Sequence, residues 1–164
     1  MIKRHVESAG AAAPVRYRPA GRAALDASGL AGLVGYAATR ASLSLKKSFS
    51  RHLGPLQLKA VEFSILVLVD SNEEVNQKLL GAALAVSAPN LAVTLDRMVE
   101  RGWVRRERSA HDRRAQLIRL TDEGLSLVRR ARKIAQTMER EALQGLSAAE
   151  QALLIELLMR IAGP

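Results

Sequence analysis

The sequence predicts a mainly α-helical fold carrying one small β-hairpin, and three observations predict it. The 164 residues are 48% hydrophobic but only 3% aromatic, and the abundance of Leu and Ala suits helix-on-helix packing. Through most of the chain the apolar residues return every three or four positions, the helical period. The exception is residues 103–120, where two short segments with strand-like composition flank a polar link. The length supports one domain with a real core.

The N-terminal stretch comes first. Residues 1–25 hold Lys3, Arg4, Arg16, Arg18 and Arg22 against Glu7 in a background of Ala, Gly and Pro. They read as a basic arm without a packed face, or as one that touches phosphates. From Ser28 the positions Leu30, Leu33, Val34, Ala37, Ala38, Ala41, Leu45 and Phe49 form one stripe, so a long first helix should end before Gly54-Pro55. Leu56 to Val69 is apolar almost all round, which predicts a buried second helix stopping at Asp70-Ser71-Asn72. Asn76 can cap a short third helix with Leu79, Leu80, Ala83 and Leu84 inward, and Gly81 permits close packing. After the turn at Ala85-Val86, Ser87 caps a fourth helix with Pro89 in its first turn, and Gly102 ends it.

Trp103 to Arg108 and Ala115 to Leu120 then form a hairpin with a charged tip at Ser109 to Arg114. Thr121 caps a fifth helix with a stripe of Leu125, Val128, Ala131, Ile134, Ala135, Met138 and Ala142. After Gly145, the capping box Ser147 to Glu150 opens a sixth, seamed by Leu153, Leu154, Leu157, Leu158 and Ile161.

Charge narrows the function. Twenty-five Lys and Arg against sixteen Asp and Glu leave a formal +9, which attracts a polyanion. No apolar run approaches the roughly 18 residues of a spanning helix, and no signal-peptide core follows the basic start. A cytoplasmic protein with no membrane partner is expected. The absence of cysteine excludes a disulfide framework, a thiolate zinc site and a thiol redox switch. His5, His52 and His111 lack metal-ligand spacing, so neither a metal nor another cofactor is expected. No nucleophile–base pair, paired acids or phosphate loop is visible, which argues against an enzyme.

A short helix, a tight turn, a capped second helix and then a basic hairpin is the order of a winged helix-turn-helix. Its second helix would enter the major groove and its hairpin would reach along the duplex. On the fourth helix Leu91, Leu95 and Met98 fall inward. Asn90, Val93 and Arg97 fall outward, with Thr94 at the margin and Ser87 and Pro89 at the leading end. Asn suits adenine, and Arg suits guanine or phosphate. Between residues 101 and 114, six arginines face one Glu and one Asp, a net +4 next to that helix. Arg106, Arg108, Asp112, Arg113 and Arg114 complete the candidate double-stranded DNA surface. An architectural protein that binds DNA without sequence preference remains the alternative.

The motifs Val86-Ser87-Ala88-Pro89, Leu95-Asp96-Arg97-Met98-Val99-Glu100-Arg101-Gly102-Trp103-Val104-Arg105-Arg106-Glu107-Arg108, Asp112-Arg113-Arg114-Ala115 and Leu120-Thr121-Asp122-Glu123-Gly124 resemble the MarR family of bacterial regulators in residue type and spacing. The likeness in layout runs from about Ser28 onward. It implies a regulator, as a rule a repressor, released from a pseudo-palindromic operator by a small ligand. It also implies that Asp112 braces Arg114 for the minor groove. The first, fifth and sixth helices become a homodimerisation platform, in agreement with their apolar stripes. The resulting division is an arm at 1–25 and a domain at 26–164, with a DNA-binding lobe at about 56–120 and dimerisation helices at about 28–53 and 121–162. For an effector such as an aromatic carboxylate or an acyl thioester, Tyr36, Arg40, Phe49, His52 and Phe63 are the candidates. Their alternative is plain core packing and a solvated helix end. Three positions depart from the family pattern: Val93 stands where arginine or another polar reader is frequent, Thr94 where an apolar residue is usual, and Lys59 where threonine is frequent at the start of the second helix.

Overall fold

The computed structural model describes residues 25–108 and 116–163. The chain divides into two compact units, Met1–Ser44 and Leu45–Pro164, and the boundary falls within the first long helix. The described part is mainly helical with one two-stranded antiparallel sheet, the architecture expected from the periodicity.

In the first unit the stripe beginning at Ser28 does not start as an α-helix. Ser28–Leu30 is a single 3₁₀ turn and α1 (Val34–Leu53) begins later. Asp26 fastens the turn by accepting from the Ser28 amide at 2.9 Å and the Ser28 hydroxyl at 3.1 Å. These two bonds hold the Asp26 carboxyl below its ordinary value. Leu30, Leu33, Val34 and Leu43 are exposed.

The second unit contains the core. Leu53, the last residue of α1, is fully buried. Gly54–Leu56 forms a 3₁₀ turn around Pro55, Gln57 takes a left-handed φ of 52°, and α2 (Ala60–Asp70) starts only after it. The second helix is therefore shorter at its start than the apolar run suggested. Its first turn is closed by Glu62, whose Oε2 accepts the Lys59 amide at 2.8 Å although the residue is buried. Ile65, Leu66 and Val69 enter the core, and α2 packs on the later helix at Asp122–Ala142 and on the strand at Gln116–Leu120.

Asn76 caps α3 (Gln77–Leu84) as expected, its side chain accepting from Leu79 N–H at 2.9 Å. The inner face differs from the sequence reading. Leu80 is buried, whereas Leu79 and Ala83 are exposed. Leu80 and Leu84, two of the four expected, do turn inward, joined by the half-buried Gln77 and Gly81 in place of Leu79 and Ala83. A Cβ on Gly81 would sit 3.3 Å from the Val86 carbonyl, so the turn closes tightly over a residue without a side chain. Ala85 carries that turn with φ of 50°.

Strands β1 (Val104–Arg108) and β2 (Gln116–Leu120) pair in antiparallel register from Val104 opposite Leu120 to Arg108 opposite Gln116. The backbone just before α3 joins them: the Ile118 amide donates to the Val75 carbonyl at 2.7 Å, and Asn76 bridges Leu117. Thr121 caps α5 (Asp122–Ala142) by accepting from Gly124 N–H at 3.0 Å. Val128, Ala131 and Met138 are buried along its stripe. A Cβ on Gly124 would overlap the Trp103 carbonyl, so only glycine lets α5 meet the root of the hairpin. The Ser147–Glu150 box opens α6 (Ala148–Ala162). This last helix buries none of its residues. Its apolar surface is wider than the expected seam, because Ile155 and Met159 are exposed alongside Leu153, Leu154, Leu157, Leu158 and Ile161.

Candidate nucleic-acid interface

Helix α4 (Ala88–Glu100) presents two faces, and the core decides which is which. Leu91, Leu95 and Met98 are completely buried, fixing the helix against α3 and β1. That leaves Pro89, Asn90, Val93 and Arg97 on the exposed side. Ser87 stands at the cap position in extended conformation, but its hydroxyl makes no capping bond. Thr94, placed at the margin from the sequence, is only 6% exposed and donates its hydroxyl to the Asn90 carbonyl at 2.8 Å. Its side chain faces inward, as the apolar residue usual there would.

The C-terminal end of α4 is held firmly. Gly102 takes φ of 68°, and the Trp103 amide returns to the Met98 carbonyl at 2.9 Å, the closure of a left-handed helix end. Arg101 lies over the Trp103 ring with its guanidinium carbon 4.5 Å from the centroid. It also donates to the Gln57 carbonyl at 2.8 Å and to Gln57 Oε1 at 3.2 Å. Arg105 is similarly occupied, by Glu107 at 2.6 Å and the Leu120 carbonyl at 2.9 Å. Two of the arginines counted toward a basic wing thus brace the fold. Arg106 reaches across to α4, where it pairs with Asp96 at 2.7 Å, and Arg108 is exposed near the end of β1. Gln57 and Asp96 were not singled out from the sequence. Nothing in a periodicity marks a residue that anchors an arginine more than one turn away. Asp112, Arg113 and Arg114 lie outside the described residues.

The effector candidates fall in both units. Tyr36 is half-buried and Arg40 exposed in the first. In the second, Phe49 and Phe63 pack with ring centroids 5.9 Å apart and planes tilted by 55°, both against the hydrophobic core. His52 is engaged at both nitrogens, Nδ1 2.9 Å from the Ser48 carbonyl and Nε2 3.1 Å from Glu141 Oε2. Two open clefts occur elsewhere. One of about 480 Å³ lies beside Gln77, Gly81 and Val86, and one of about 390 Å³ runs along α5 by Leu125, Arg129 and Lys133. Neither is lined by Phe49, His52 or Phe63.

Comparison with known proteins decides the class of this arrangement. The MarR family model matches residues 56–115. The transcriptional regulator PecS of Dickeya dadantii is 31% identical over 126 residues, spanning 75% of this chain and 76% of that protein. The chain belongs to the MarR family. The regulator HosA of Escherichia coli O157:H7 is 30% identical over 122 residues, covering 71% of this chain and 90% of its own length. Among solved structures, the repressor CouR bound to a 23-mer DNA duplex superposes with a TM-score of 0.80 at 34% identity, over 85% of this chain and 99% of that one. CouR bound to p-coumaroyl-CoA gives 0.76 and 33% with the same coverage. The winged helix-turn-helix and the resemblance drawn from the motifs are thereby established, and with them a DNA-binding transcriptional regulator. Among the described residues no single helix is long and apolar enough to cross a membrane.

Proposed function

We propose that the protein is a homodimeric repressor of nearby genes that binds a pseudo-palindromic operator and leaves it when a small ligand binds. The observation that carries this reading is the exposed outer face of α4. Asn90, Val93 and Arg97 stand in a row on a helix whose other side is locked in the core, next to an arginine-bearing hairpin. Helices so placed read base edges, and wings reach the flanking groove. Thr94 drops out of the reading set because its hydroxyl is spent on its own helix. The exposed apolar surface of α6 supports pairing of two chains, since such a patch is rarely left in water on a monomer. Pairing would set the two copies of α4 about one helical turn of DNA apart. CouR, which is solved both with DNA and with p-coumaroyl-CoA, supports an acyl thioester or the related aromatic acid as the ligand class.

Selection of bound duplexes from a random pool tests the reading. A recovered palindrome supports it, and a flat affinity across sequences overturns it in favour of an architectural role. Titrating aromatic acids and their coenzyme A thioesters into the operator complex then tests release; the inducible clause fails if none weakens binding. Arg114 takes the minor-groove role that the family pattern gives it. Arg114→Ala should weaken binding and lower the slope of log affinity against log salt by about one. An unchanged slope removes it from the contact set.

A further inference from the structure

The outer face of α4 has an apolar centre. Pro89 and Asn90 precede it, Arg97 follows one turn later, and between them Val93 is 59% exposed. Its neighbours are accounted for within the fold. Thr94 is buried and bonded to Asn90, and Asp96 is occupied by Arg106 at 2.7 Å. Val93 itself does no such work. A β-branched residue is a poor choice for an exposed helix position, where Ala, Lys or Glu cost less, and its methyl groups gain nothing from the core.

We propose that Val93 selects thymine, packing its isopropyl group against the C5-methyl in the major groove. This rests on the reading of α4 as the groove-facing helix. Among the base edges displayed there, the thymine methyl is the one apolar group, and the rest are hydrogen-bond donors and acceptors. An aliphatic side chain flanked by Asn90 and Arg97 can therefore discriminate at its own position only through that methyl. Water released from both surfaces supplies the preference. The amide and the guanidinium on either side fix the register.

The experiment begins with the wild-type chain and its selected operator. Each enriched thymine of a half-site is replaced in turn by deoxyuridine, which removes the methyl and leaves every hydrogen-bonding group in place. One such replacement should weaken binding roughly fourfold, the factor that burial of one methyl-sized group carries. Val93→Ala should bind the thymine and uracil operators equally. Val93→Thr, which keeps the shape but only one methyl, should show an intermediate penalty. If a palindrome is recovered and no uracil replacement matters, the Val93 proposal falls while the groove-facing role of α4 stands. If Val93→Ala keeps the full methyl penalty, another residue makes the contact and the proposal falls. If no motif is selected at all, the reading of α4 falls and takes the proposal with it.

Discussion

Helices α4 and α6 are of similar length and both carry several large apolar residues, yet they use them in opposite ways. In α4, Leu91, Leu95 and Met98 have no exposed surface at all, while in α6 the seven large apolar residues range from 38% to 68% exposed. The difference lies in what surrounds each helix. Helix α4 meets α3 and β1 within its own chain, whereas α6 buries none of its residues. Apolar patterning therefore says that a face will be covered, and topology says by what. In α4 the cover is intramolecular, which frees the opposite face for another molecule. For α6 the cover we propose is a second copy of the chain.

Three substitutions sharpen or break that contrast. The largest effect is expected from Leu157→Asp, which puts a charge in the middle of the α6 surface. Light scattering at micromolar concentration should show one chain for the variant and two for the native protein. Operator affinity should fall by a factor on the order of a hundred or more, because linked half-site binding is lost. A dimer of normal mass would mean that α6 is not the interface. Next is Leu95→Ala on the buried side of α4. Denaturant unfolding should reveal a loss of about 2–5 kcal/mol, the cost of a cavity in a packed core. The selected DNA motif should be unaltered, since the outer face is untouched, and a changed motif would show that the two faces are not independent.

The smallest effect concerns the start of α6. The Ser147 hydroxyl, and then its amide, hold the Glu150 carboxyl below its ordinary value. A carboxyl lowered in the folded chain contributes stability that is complete above the ordinary carboxylate range and is lost as pH falls through the lowered value. Ser147→Ala should raise the Glu150 titration midpoint toward the ordinary value, as followed by NMR. No movement of the midpoint would mean that the box does not persist in solution.

The helix boundaries marked by side-chain chemistry were legible in the sequence. Asn76, Thr121 and Ser147 each accept an amide bond in the first turn of their helix, and Gly102 takes the left-handed φ its position demands. The inner and outer faces of α4 were legible too, because thirteen residues give a stripe enough turns to fix its phase. Eight residues do not, and the two neighbouring stripes of α3 could not be told apart until Leu80 was seen buried and Leu79 exposed. The start of α2 escaped because a left-handed Gln57 is not announced by its residue type. Arg101 and Arg105 were counted by charge alone, and charge does not distinguish an arginine stacked on Trp103 from one offered to a phosphate. Thr94 was ambiguous for a related reason: a hydroxyl that can bond to the preceding turn is polar in sequence and self-satisfied in space.

The contact of Gly124 with the Trp103 carbonyl has a mechanical consequence. The hydroxyl of Thr121 bonds the Gly102 carbonyl and its amide bonds that of Trp103, so the foot of α5 is pinned to the tail of α4 at one compact joint. From that pivot the 21 residues of α5 extend about 31 Å at 1.5 Å per residue. Near the tip, Glu141 is tied to His52 at 3.1 Å. Between foot and tip, Val128, Ala131 and Met138 are buried along α5, so the core holds the helix along its length as well as at that joint.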